Sequence, residues 1–167
     1  PGARSDGHDQ AAAAVAAGAA AVLAARPVGV PAIVVPRDAA VPAEKSGASV
    51  LEYDRDGSGA AVLAALGRLA AAVAARLVAG GLTIIGVTGS SGKTSTKDLL
   101  AAVLAPLGAV VAPPGSFNNE LGHPWTVLRA TKDTDFLVLE MSARRPGNIA
   151  ALAAIAPPRI GVVLNVG

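Results

Sequence analysis

The residues best suited to chemistry form the stretch GVTGSSGKTSTKD at positions 86–98. A common phosphate-binding loop has the pattern G-x-x-x-x-G-K-[ST]. Here the nearest glycine that could begin the loop is Gly89, which gives the shorter pattern G-x-x-G-K-T with Gly92. In such a loop, backbone N–H groups and the N-terminus of the following helix point at an anion. Lys93 can reach the β- and γ-phosphates of a nucleotide, and Thr94 can offer its hydroxyl to Mg²⁺.

Two interpretations of this stretch compete. An ordinary strand–turn–helix connection with Ser91 as its cap would also use two glycines, and the pattern G-x-x-G alone favours it. The residues K-T-S that follow Gly92, placed after the apolar run TIIGV at 83–87, favour phosphate binding instead. We therefore predict a phosphate site at this loop.

A second candidate residue is Glu140, which closes the apolar run FLVLE at 136–140. A carboxylate at the carboxyl end of a buried parallel strand stands in the crevice where such sheets bind ligands. Because Mg²⁺ prefers oxygen ligands and keeps several waters, one hydroxyl and this carboxylate would suffice to hold it. A strand-end glutamate that faces water fits the residues equally well, and both interpretations stay open at this point.

The stretch GSFNNELGHPW at 115–125 is predicted to be a loop. Its adjacent amides, Asn118 and Asn119, could bind a polar ligand through paired donors and acceptors, but an asparagine-rich turn explains their spacing more simply. His123 precedes a proline and is predicted to be a turn residue rather than a catalyst. Near the start of the chain, His8 is predicted to take part in the capping of a helix.

Apolar periodicity predicts the elements that position these residues. The strands are continuous apolar runs rather than alternating ones, which is typical of a parallel sheet covered on both faces. The predicted fold class is therefore α/β. We predict strands at 19–24, 31–35, 83–87, 109–112, 136–140 and 160–165, and helices at 9–18, 60–79, 93–105 and 148–155.

The longest predicted helix, 60–79, is rich in alanine. Its larger side chains recur at spacings of three and four, which predicts that they form its one apolar face. They are Leu63, Leu66, Leu69, Val73 and Leu77. Ser58 is predicted to cap this helix, and the stretch 36–59 before it is predicted to be irregular. We place a domain boundary near residue 80, where two glycines end the helix.

Composition excludes several classes of function. Hydrophobic residues make up 52% of the chain but aromatic residues only 2%, so the core must be built from small side chains. The net charge of +2 comes from scattered residues and gives no electrostatic footprint for nucleic acid. The absence of cysteine excludes disulfides and thiolate chemistry and suits the cytoplasm. The apolar stretch 11–25 is about three-quarters of a membrane span, and we predict neither a targeting segment nor a transmembrane one.

Three stretches together resemble the central part of the Mur ligase family: GVTGSSGKTSTKDLL, GSFNNELGHPWTVLRA and FLVLEMSARRPGNIAALAAIAPPRIGVVLNVG. The loop T-G-x-x-G-K-T is that family's form of the P-loop, so the short spacing is a family variant. The upstream DGHD and AAAAVAAGAAAVLAARP are similar to the family's first domain. The resemblance implies a partial N-terminal UDP-substrate-binding domain at 1–80 and the first half of a central ATP-binding P-loop domain, truncated, at 81–167. We expect the rest of that domain and a C-terminal domain to lie outside this chain.

The resemblance also implies a role for each candidate residue. ATP phosphates would lie against Gly89, Ser90, Ser91, Gly92, Lys93, Thr94 and Ser95. Lys93 would be catalytic, and Thr94 and Glu140 would hold Mg²⁺. Asn118 and Asn119 would lie on the substrate side of the site, and His8 near the surface that binds the UDP-substrate.

Within the family, the NNELG stretch is most similar to the branch that adds D-alanyl-D-alanine to UDP-MurNAc-tripeptide in peptidoglycan synthesis. The implied reaction uses ATP and Mg²⁺ and passes through an acyl phosphate, in a cytoplasmic monomer that binds neither membrane nor nucleic acid. One alternative is a sibling amino-acid ligase, similar to MurE or to folylpolyglutamate synthase. Another is that these 167 residues alone form a nucleotide-binding module without ligase activity.

Overall fold

The chain folds as two units, Pro1–Leu66 and Gly67–Gly167, and the division falls within a long helix. The structure is a computed structural model. It describes residues 6–36, 51, 53–54, 56–143 and 145–166. Most of the stretch 36–59, which the sequence predicts to be irregular, lies outside the described residues.

The described part of the first unit begins with a short 3-10 turn, Gly7–Gln10, which leads into helix α1, Ala11–Ala16. Two short strands follow, β1 (Val22–Ala24) and β2 (Ala32–Val34). They pair in parallel, with Val22 opposite Ala32. Helix and strands therefore occur where the sequence predicts them, with shorter bounds.

Helix α2 spans Ser58–Ala79 and is capped differently from the prediction. Ser58 is the first residue of the helix rather than its cap. The carboxylate of Asp54 instead accepts hydrogen bonds from the backbone N–H groups of Gly59 (3.0 Å) and Ala60 (2.8 Å). An acidic side chain suits this position because it satisfies unpaired N–H groups and interacts favourably with the positive end of the helix dipole.

The second unit is built on a parallel sheet, which confirms the predicted fold class. Its strands are β3 (Thr83–Thr88), β4 (Val110–Val111), β5 (Phe136–Glu140) and β6 (Ile160–Val163), in the spatial order β4-β5-β3-β6. Its further helices are α3 (Lys93–Leu104), α4 (Gly122–Val127) and α5 (Asn148–Ile155).

The register of the sheet decides which residues meet at its edge. Val87 lies opposite Glu140 of β5, and Thr88 lies opposite Val163 of β6. Because all three strands run in the same direction, the segments that follow them leave from one edge. The glycine-rich loop, Glu140 and the residues after β6 are therefore neighbours.

Alternate residues of the strands fill two cores, one on each face of the sheet. On one face, Ile84 and Leu139 pack with Ala70 and Ala74 of α2 and with Leu152 of α5. The other core contains Ile85, Val87 and Val138, with Leu100 and Leu104 of α3 packed against it. The burial on both faces explains why these strands are continuously apolar.

The buried face of α2 agrees only in part with the predicted one. Ala70 and Ala74 are 0% and 1% exposed, whereas Leu69 of the predicted leucine face is 47% exposed. Leu77 of that face packs, partly buried, against the same core as the two alanines. Among the described residues, α2 is the one helix that is long and apolar enough to cross a membrane, by length and composition only.

Helix α4 lies where the sequence predicts only a loop. Gly122–Val127 is helical, and Thr126 donates a hydrogen bond from its hydroxyl to the carbonyl of Gly122 (2.8 Å). His123 is a fully buried helical residue and not the predicted turn residue. Pro124 is tolerated because it lies in the first turn, where a backbone N–H has no helical partner.

Candidate phosphate and cation site

The glycine-rich loop connects β3 to α3, as predicted. Gly89 has φ +145°, and a Cβ atom there would stand 3.0 Å from Cβ of Leu164 and 3.1 Å from the backbone nitrogen of Asn165. Gly92 has φ +80° and occupies the cap position of α3. Both glycines are therefore required by the backbone path, and the first also by the close approach of the segment after β6.

Asn165 fastens the loop to the end of β6. Its backbone carbonyl accepts a hydrogen bond from the N–H of Ser90 (2.9 Å). Its side-chain Oδ1 accepts from the N–H of Ser91 (3.0 Å), and its Nδ2 donates to Oγ of Ser91 (2.9 Å). These hydrogen bonds hold Ser90 and Ser91, in the middle of the loop, against the segment that follows β6.

The Lys93 ammonium lies over the same loop. Its Nζ donates to the carbonyl oxygen of Gly89 (2.7 Å), with the carbonyl of Ser90 at 3.4 Å. Lys93 is the first residue of α3, so its charge stands beside the positive end of the helix dipole. A cation and a helix N-terminus at one loop make a favourable environment for an anion such as phosphate.

Glu140 is buried, with 2% exposure, and receives two hydrogen bonds. The hydroxyl of Thr94 donates to its Oε2 (2.9 Å), and Nδ2 of Asn118 donates to its Oε1 (2.7 Å). Both donors are neutral, and no ion pair to Glu140 occurs within the described part of the chain. A buried carboxylate without a cationic partner is unfavourable, so this position suits a bound cation.

The donor set fits Mg²⁺. Thr94 and Glu140 offer oxygen atoms, and an open neighbourhood would leave room for the waters that Mg²⁺ retains. A polar cavity of about 340 Å³ lies here, lined by Gly92, Lys93, Thr94, Ser95, Asn118, Glu140 and Ser142. No group of three His, Cys, Asp or Glu residues that could hold a metal occurs among the residues described. A site of one hydroxyl and one carboxylate does not need such a group.

The structure separates the two predicted amide ligands. Asn118 lines the cavity, whereas Asn119 turns to the start of α4. Oδ1 of Asn119 accepts hydrogen bonds from the N–H groups of Leu121 (3.2 Å) and Gly122 (2.8 Å). The asparagine-rich turn of the sequence analysis therefore accounts for Asn119, and its contact with substrate stays a prediction.

His8 belongs to the first unit, and both of its ring nitrogens are occupied. Nδ1 lies 2.6 Å from Oδ1 of Asp6, and Nε2 accepts a hydrogen bond from the N–H of Ala25 (3.0 Å). The hydrogen bond from the side chain of His8 is the main reason that the pKa of Asp6 is well below its usual value. Arg26 also donates to this carboxylate (3.3 Å). His8 therefore takes part in a local hydrogen-bond network with Asp6 and Ala25, and its contact with substrate stays a prediction.

His123 is fully buried, and within the described residues neither ring nitrogen makes a hydrogen bond of good geometry, although the backbone of Leu152 and that of Glu140 lie close to the ring. Burial lowers the pKa of His123 to about 4, and the nearby backbone of Leu152 and Glu140 opposes this shift in part. The ring is therefore neutral at ordinary pH and acts as a core side chain.

Three residues near the site are not among the sequence-based candidates: Ser142, Asn165 and Lys97. Ser142 lines the cavity, and Asn165 holds the loop. Asn165 follows β6 at the same sheet edge as Glu140, so the argument that selected Glu140 could have selected Asn165. Lys97 is a buried lysine within α3, and nothing in its local sequence distinguishes it from an exposed one.

Comparisons with known proteins point to one family. Residues 87–167 match the Mur ligase middle domain. The chain is 81% identical over 167 residues to the UDP-N-acetylmuramoyl-tripeptide–D-alanyl-D-alanine ligase of Mycobacterium tuberculosis, and 40% identical over 166 residues to that of Bacillus subtilis. These matches cover 100% and 99% of this chain. Each covers 32% of the relative, so the chain spans about a third of the length of these curated relatives.

Solved structures of the same ligase are similar in fold. The UDP-N-acetylmuramoylalanyl-D-glutamyl-2,6-diaminopimelate–D-alanyl-D-alanyl ligase from Acinetobacter baumannii matches with a TM-score of 0.75 and 30% identity. The match covers 100% of this chain and 32% of that one. The MurF ligase from Thermotoga maritima in complex with ADP matches with a TM-score of 0.70 and 37% identity, covering 100% of this chain and 33% of that one.

Proposed function

The chain belongs to the Mur ligase family, and we propose that the protein containing it is an ATP-dependent ligase that joins D-alanyl-D-alanine to UDP-MurNAc-tripeptide. The names of the relatives support this activity over that of a sibling amino-acid ligase. Under this proposal, residues 81–167 are the first half of the ATP-binding domain. Residues 1–80 belong to the domain that binds the UDP-substrate.

One observation carries the proposal in this structure: the hydroxyl of Thr94 meets the buried carboxylate of Glu140 at 2.9 Å, directly beside Lys93. Phosphoryl transfer asks a protein mainly for positioning and for neutralisation of charge. Lys93 supplies a cation at the loop, and the cavity beside it is polar. A related ligase is known in complex with ADP, which supports nucleotide binding by this protein.

Thr94 and Glu140 would hold Mg²⁺ in this site. When bound, the ion would supply positive charge beside the transferred phosphoryl group. Two side chains orient the carboxylate of Glu140: Asn118 donates a hydrogen bond to one oxygen, and Thr94 donates to the other. The seven residues from Gly89 to Ser95 would surround the phosphates of ATP.

The proposed reaction has two steps. A carboxylate oxygen of the tripeptide attacks the γ-phosphorus of ATP, the bond to ADP breaks, and an acyl phosphate forms. The amine of D-alanyl-D-alanine then attacks the acyl carbon, phosphate leaves with its electron pair, and the amine loses a proton. Lys93 lies where it can stabilise charge as ADP departs. No side-chain nucleophile is needed, which agrees with a chain that lacks cysteine.

We further propose a cytoplasmic monomer that associates with neither membrane nor nucleic acid. The burial of Ala70 and Ala74 of α2 against the sheet supports a core helix rather than a membrane span. The small and scattered net charge of +2 supports the absence of a nucleic-acid surface. Asn118, Asn119 and His8 are retained as proposed contacts on the substrate side.

The test is phosphate release by the full-length protein with ATP, Mg²⁺ and UDP-MurNAc-tripeptide, with and without D-alanyl-D-alanine. We expect release that depends on the dipeptide, and none from the 167-residue chain alone. Lys93→Ala should abolish turnover in the full-length protein. Lys132→Ala is the matched control, because Lys132 is an exposed lysine that forms an ion pair with its neighbour Asp133 at 2.8 Å. Release that requires another amino acid would assign the protein to a sibling ligase.

A further inference from the structure

Lys97 is the largest fully buried side chain in the described structure, with 1% exposure. It lies on α3, three residues after Thr94. Residues three apart on a helix are neighbours on one face, so Lys97 and Thr94 point to the same side of α3. Thr94 is accounted for by the cation site, but neither the phosphate site nor the cores use Lys97.

The ammonium of Lys97 has three partners, one for each of its N–H donors. It donates to the backbone carbonyls of Pro113 (2.7 Å) and Gly115 (3.1 Å). It also forms an ion pair with Oδ1 of Asp98 (2.7 Å), whose side chain is 65% exposed. A buried lysine is therefore used to hold two carbonyl groups of one loop.

The part of that loop next to Lys97 is open to solvent. Residues 114–117 are exposed, and Gly115 adopts φ +60° with open space where a side chain would lie. Phe117 orders the far end of the segment by stacking on Trp125, with 4.9 Å between the ring centroids, but no side chain packs at Gly115. Because burying a charge is unfavourable unless its hydrogen bonds are made, an apolar residue would be expected here if only packing mattered.

The segment held by Lys97 leads directly to Asn118, which is hydrogen-bonded to Glu140. The N–H of Asn118 donates to the carbonyl of Ser116 (2.9 Å), so the position of Asn118 follows that of the segment before it. Nδ2 of Asn118 then donates to Oε1 of Glu140 at 2.7 Å, and its carbonyl accepts from the N–H of Ser142 (3.2 Å). Hydrogen bonds at its two ends and the covalent backbone between Gly115 and Asn118 therefore connect Lys97 to Glu140.

We propose that Lys97 is a positioning residue for the cation site: it holds the 113–115 segment so that Asn118 orients the carboxylate of Glu140 for Mg²⁺. In this arrangement α3 controls both oxygens of Glu140. Thr94 acts directly on Oε2, and Lys97 acts on Oε1 through Asn118. The inference rests on the proposed function, because it takes Glu140 as the Mg²⁺ ligand.

The test measures ADP binding by calorimetry in the full-length protein, once with Mg²⁺ and once with a chelator. The wild type should bind ADP more tightly with Mg²⁺. Lys97→Met should lower this enhancement about tenfold, since loss of a group that orients a metal ligand typically weakens metal binding by at least that factor. Its affinity for ADP without Mg²⁺ should stay at the wild-type value, because Lys97 does not contact the loop at 89–92. Lys97→Gln, which keeps a donor but no charge, is measured in parallel.

A double-mutant cycle with Asn118→Ala separates the proposed route from a general effect. If Lys97 acts through Asn118, Lys97→Met should cause no further loss of Mg²⁺ enhancement in the Asn118→Ala background. Asp98→Asn is the matched control, because it removes the charge of the exposed partner of Lys97 and leaves both carbonyl bonds in place. It should keep the wild-type enhancement.

Several results would overturn the inference. An unchanged Mg²⁺ enhancement in Lys97→Met would do so, as would an equal loss of affinity with and without Mg²⁺ or additive losses in the double variant. Failure of both Lys97 variants to fold would show a purely structural role and would also overturn it. A wild type that binds ADP without any Mg²⁺ enhancement would refute the proposed cation site itself, and this result is distinguishable because it does not depend on any Lys97 variant.

Discussion

At the scale of single residues, Glu140 shows a conflict between stability and function. Its carboxylate is buried and is held only by the neutral donors Thr94 and Asn118 within the described structure. Such a group is unfavourable for folding unless a cation joins it. Under the proposed function, the charge at this position would serve the cation-bound state better than the free one.

Replacement of Glu140 by Gln should reveal this conflict. Glu140→Gln removes the buried charge at nearly constant volume, so we expect a higher unfolding temperature without Mg²⁺ than that of the wild type. Addition of Mg²⁺ and ADP should raise the unfolding temperature of the wild type more than that of the variant, because ligand binding to the native state stabilises it. Thermal unfolding with and without the ligands measures both. A variant that is less stable than the wild type without Mg²⁺ would show that the charge is already compensated.

His123 should make the stability of the chain depend on pH. Its pKa is lowered from 6.5 to about 4 in the folded protein. Between these values the unfolded state binds the proton and the folded state does not, so stability falls as pH decreases from 6.5 to about 4. The loss can reach about 3 kcal/mol. His123→Leu should remove this part of the dependence in urea unfolding of the chain.

The matched control for His123 is Val127→Ala, in the same helix and equally buried. It should lower stability by a similar amount at both ends of the pH range, because it adds and removes no titrating group. If His123→Leu retained the wild-type slope between the two pKa values, the low pKa of His123 would be wrong.

The residues that could be predicted from sequence are those that a short local pattern identifies. Lys93 and Thr94 follow from a loop pattern, and Glu140 follows from its place at the end of an apolar strand. Lys97 and His123 could not be predicted, because their burial depends on segments distant in sequence. Pro113 and Gly115 determine the role of Lys97, and the packing of α4 determines that of His123.

At the scale of elements, the loop between β3 and α3 depends on the segment after β6. Gly89→Ala should disrupt this contact, because its Cβ would stand 3.0 Å from Leu164 in a backbone conformation that side chains rarely adopt. We expect both a loss of ADP affinity in the full-length protein and a lower unfolding temperature. Gly161→Ala in β6 is the control, since a Cβ there meets nothing within 4 Å. Wild-type ADP binding by Gly89→Ala would show that the loop can rearrange.

Asn165 permits a complementary change at the same contact. Asn165→Ala removes the two side-chain bonds to Ser91 and keeps the backbone bond to Ser90. We expect a weaker but measurable affinity for ADP in calorimetry, with the loss present both with and without Mg²⁺. That pattern differs from the Mg²⁺-selective loss expected for Lys97→Met. A Mg²⁺-selective loss in Asn165→Ala would place Asn165 in the cation site instead.

The elements themselves differed in how well sequence could predict them. The parallel strands have strong apolar runs, and β3, β5 and β6 lie where those runs predict them. Helix α4 has the sequence GHPWTV, in which glycine and proline indicate a turn, yet all of its residues except Trp125 are buried. Tertiary packing overrides local preference there.

At the scale of the whole molecule, the question is whether α2 is a core helix or a membrane-spanning one. The helix is apolar enough for a membrane, yet Ala70 and Ala74 pack into the core that also contains Ile84 and Leu139. Its composition alone does not distinguish these cases, because alanine suits both a close helix–sheet contact and a lipid environment. The leucine face predicted from periodicity is right in part: Leu77 packs against this core, whereas Leu69 is exposed and the fully buried positions are Ala70 and Ala74.

Ala74→Leu tests this packing. Added volume at a position that is 1% exposed should destabilise the chain by about 1–3 kcal/mol, because a tightly packed core cannot accept it without strain. Leu69→Gln changes an exposed position on the same helix and should alter stability by less than about 0.5 kcal/mol. Urea unfolding of the purified chain without detergent measures both. If α2 lay in a membrane, the expected order would reverse: Ala74→Leu would be tolerated, and the polar Leu69→Gln would be the harmful change. The relative effect of these two substitutions therefore decides between a core helix and a membrane span.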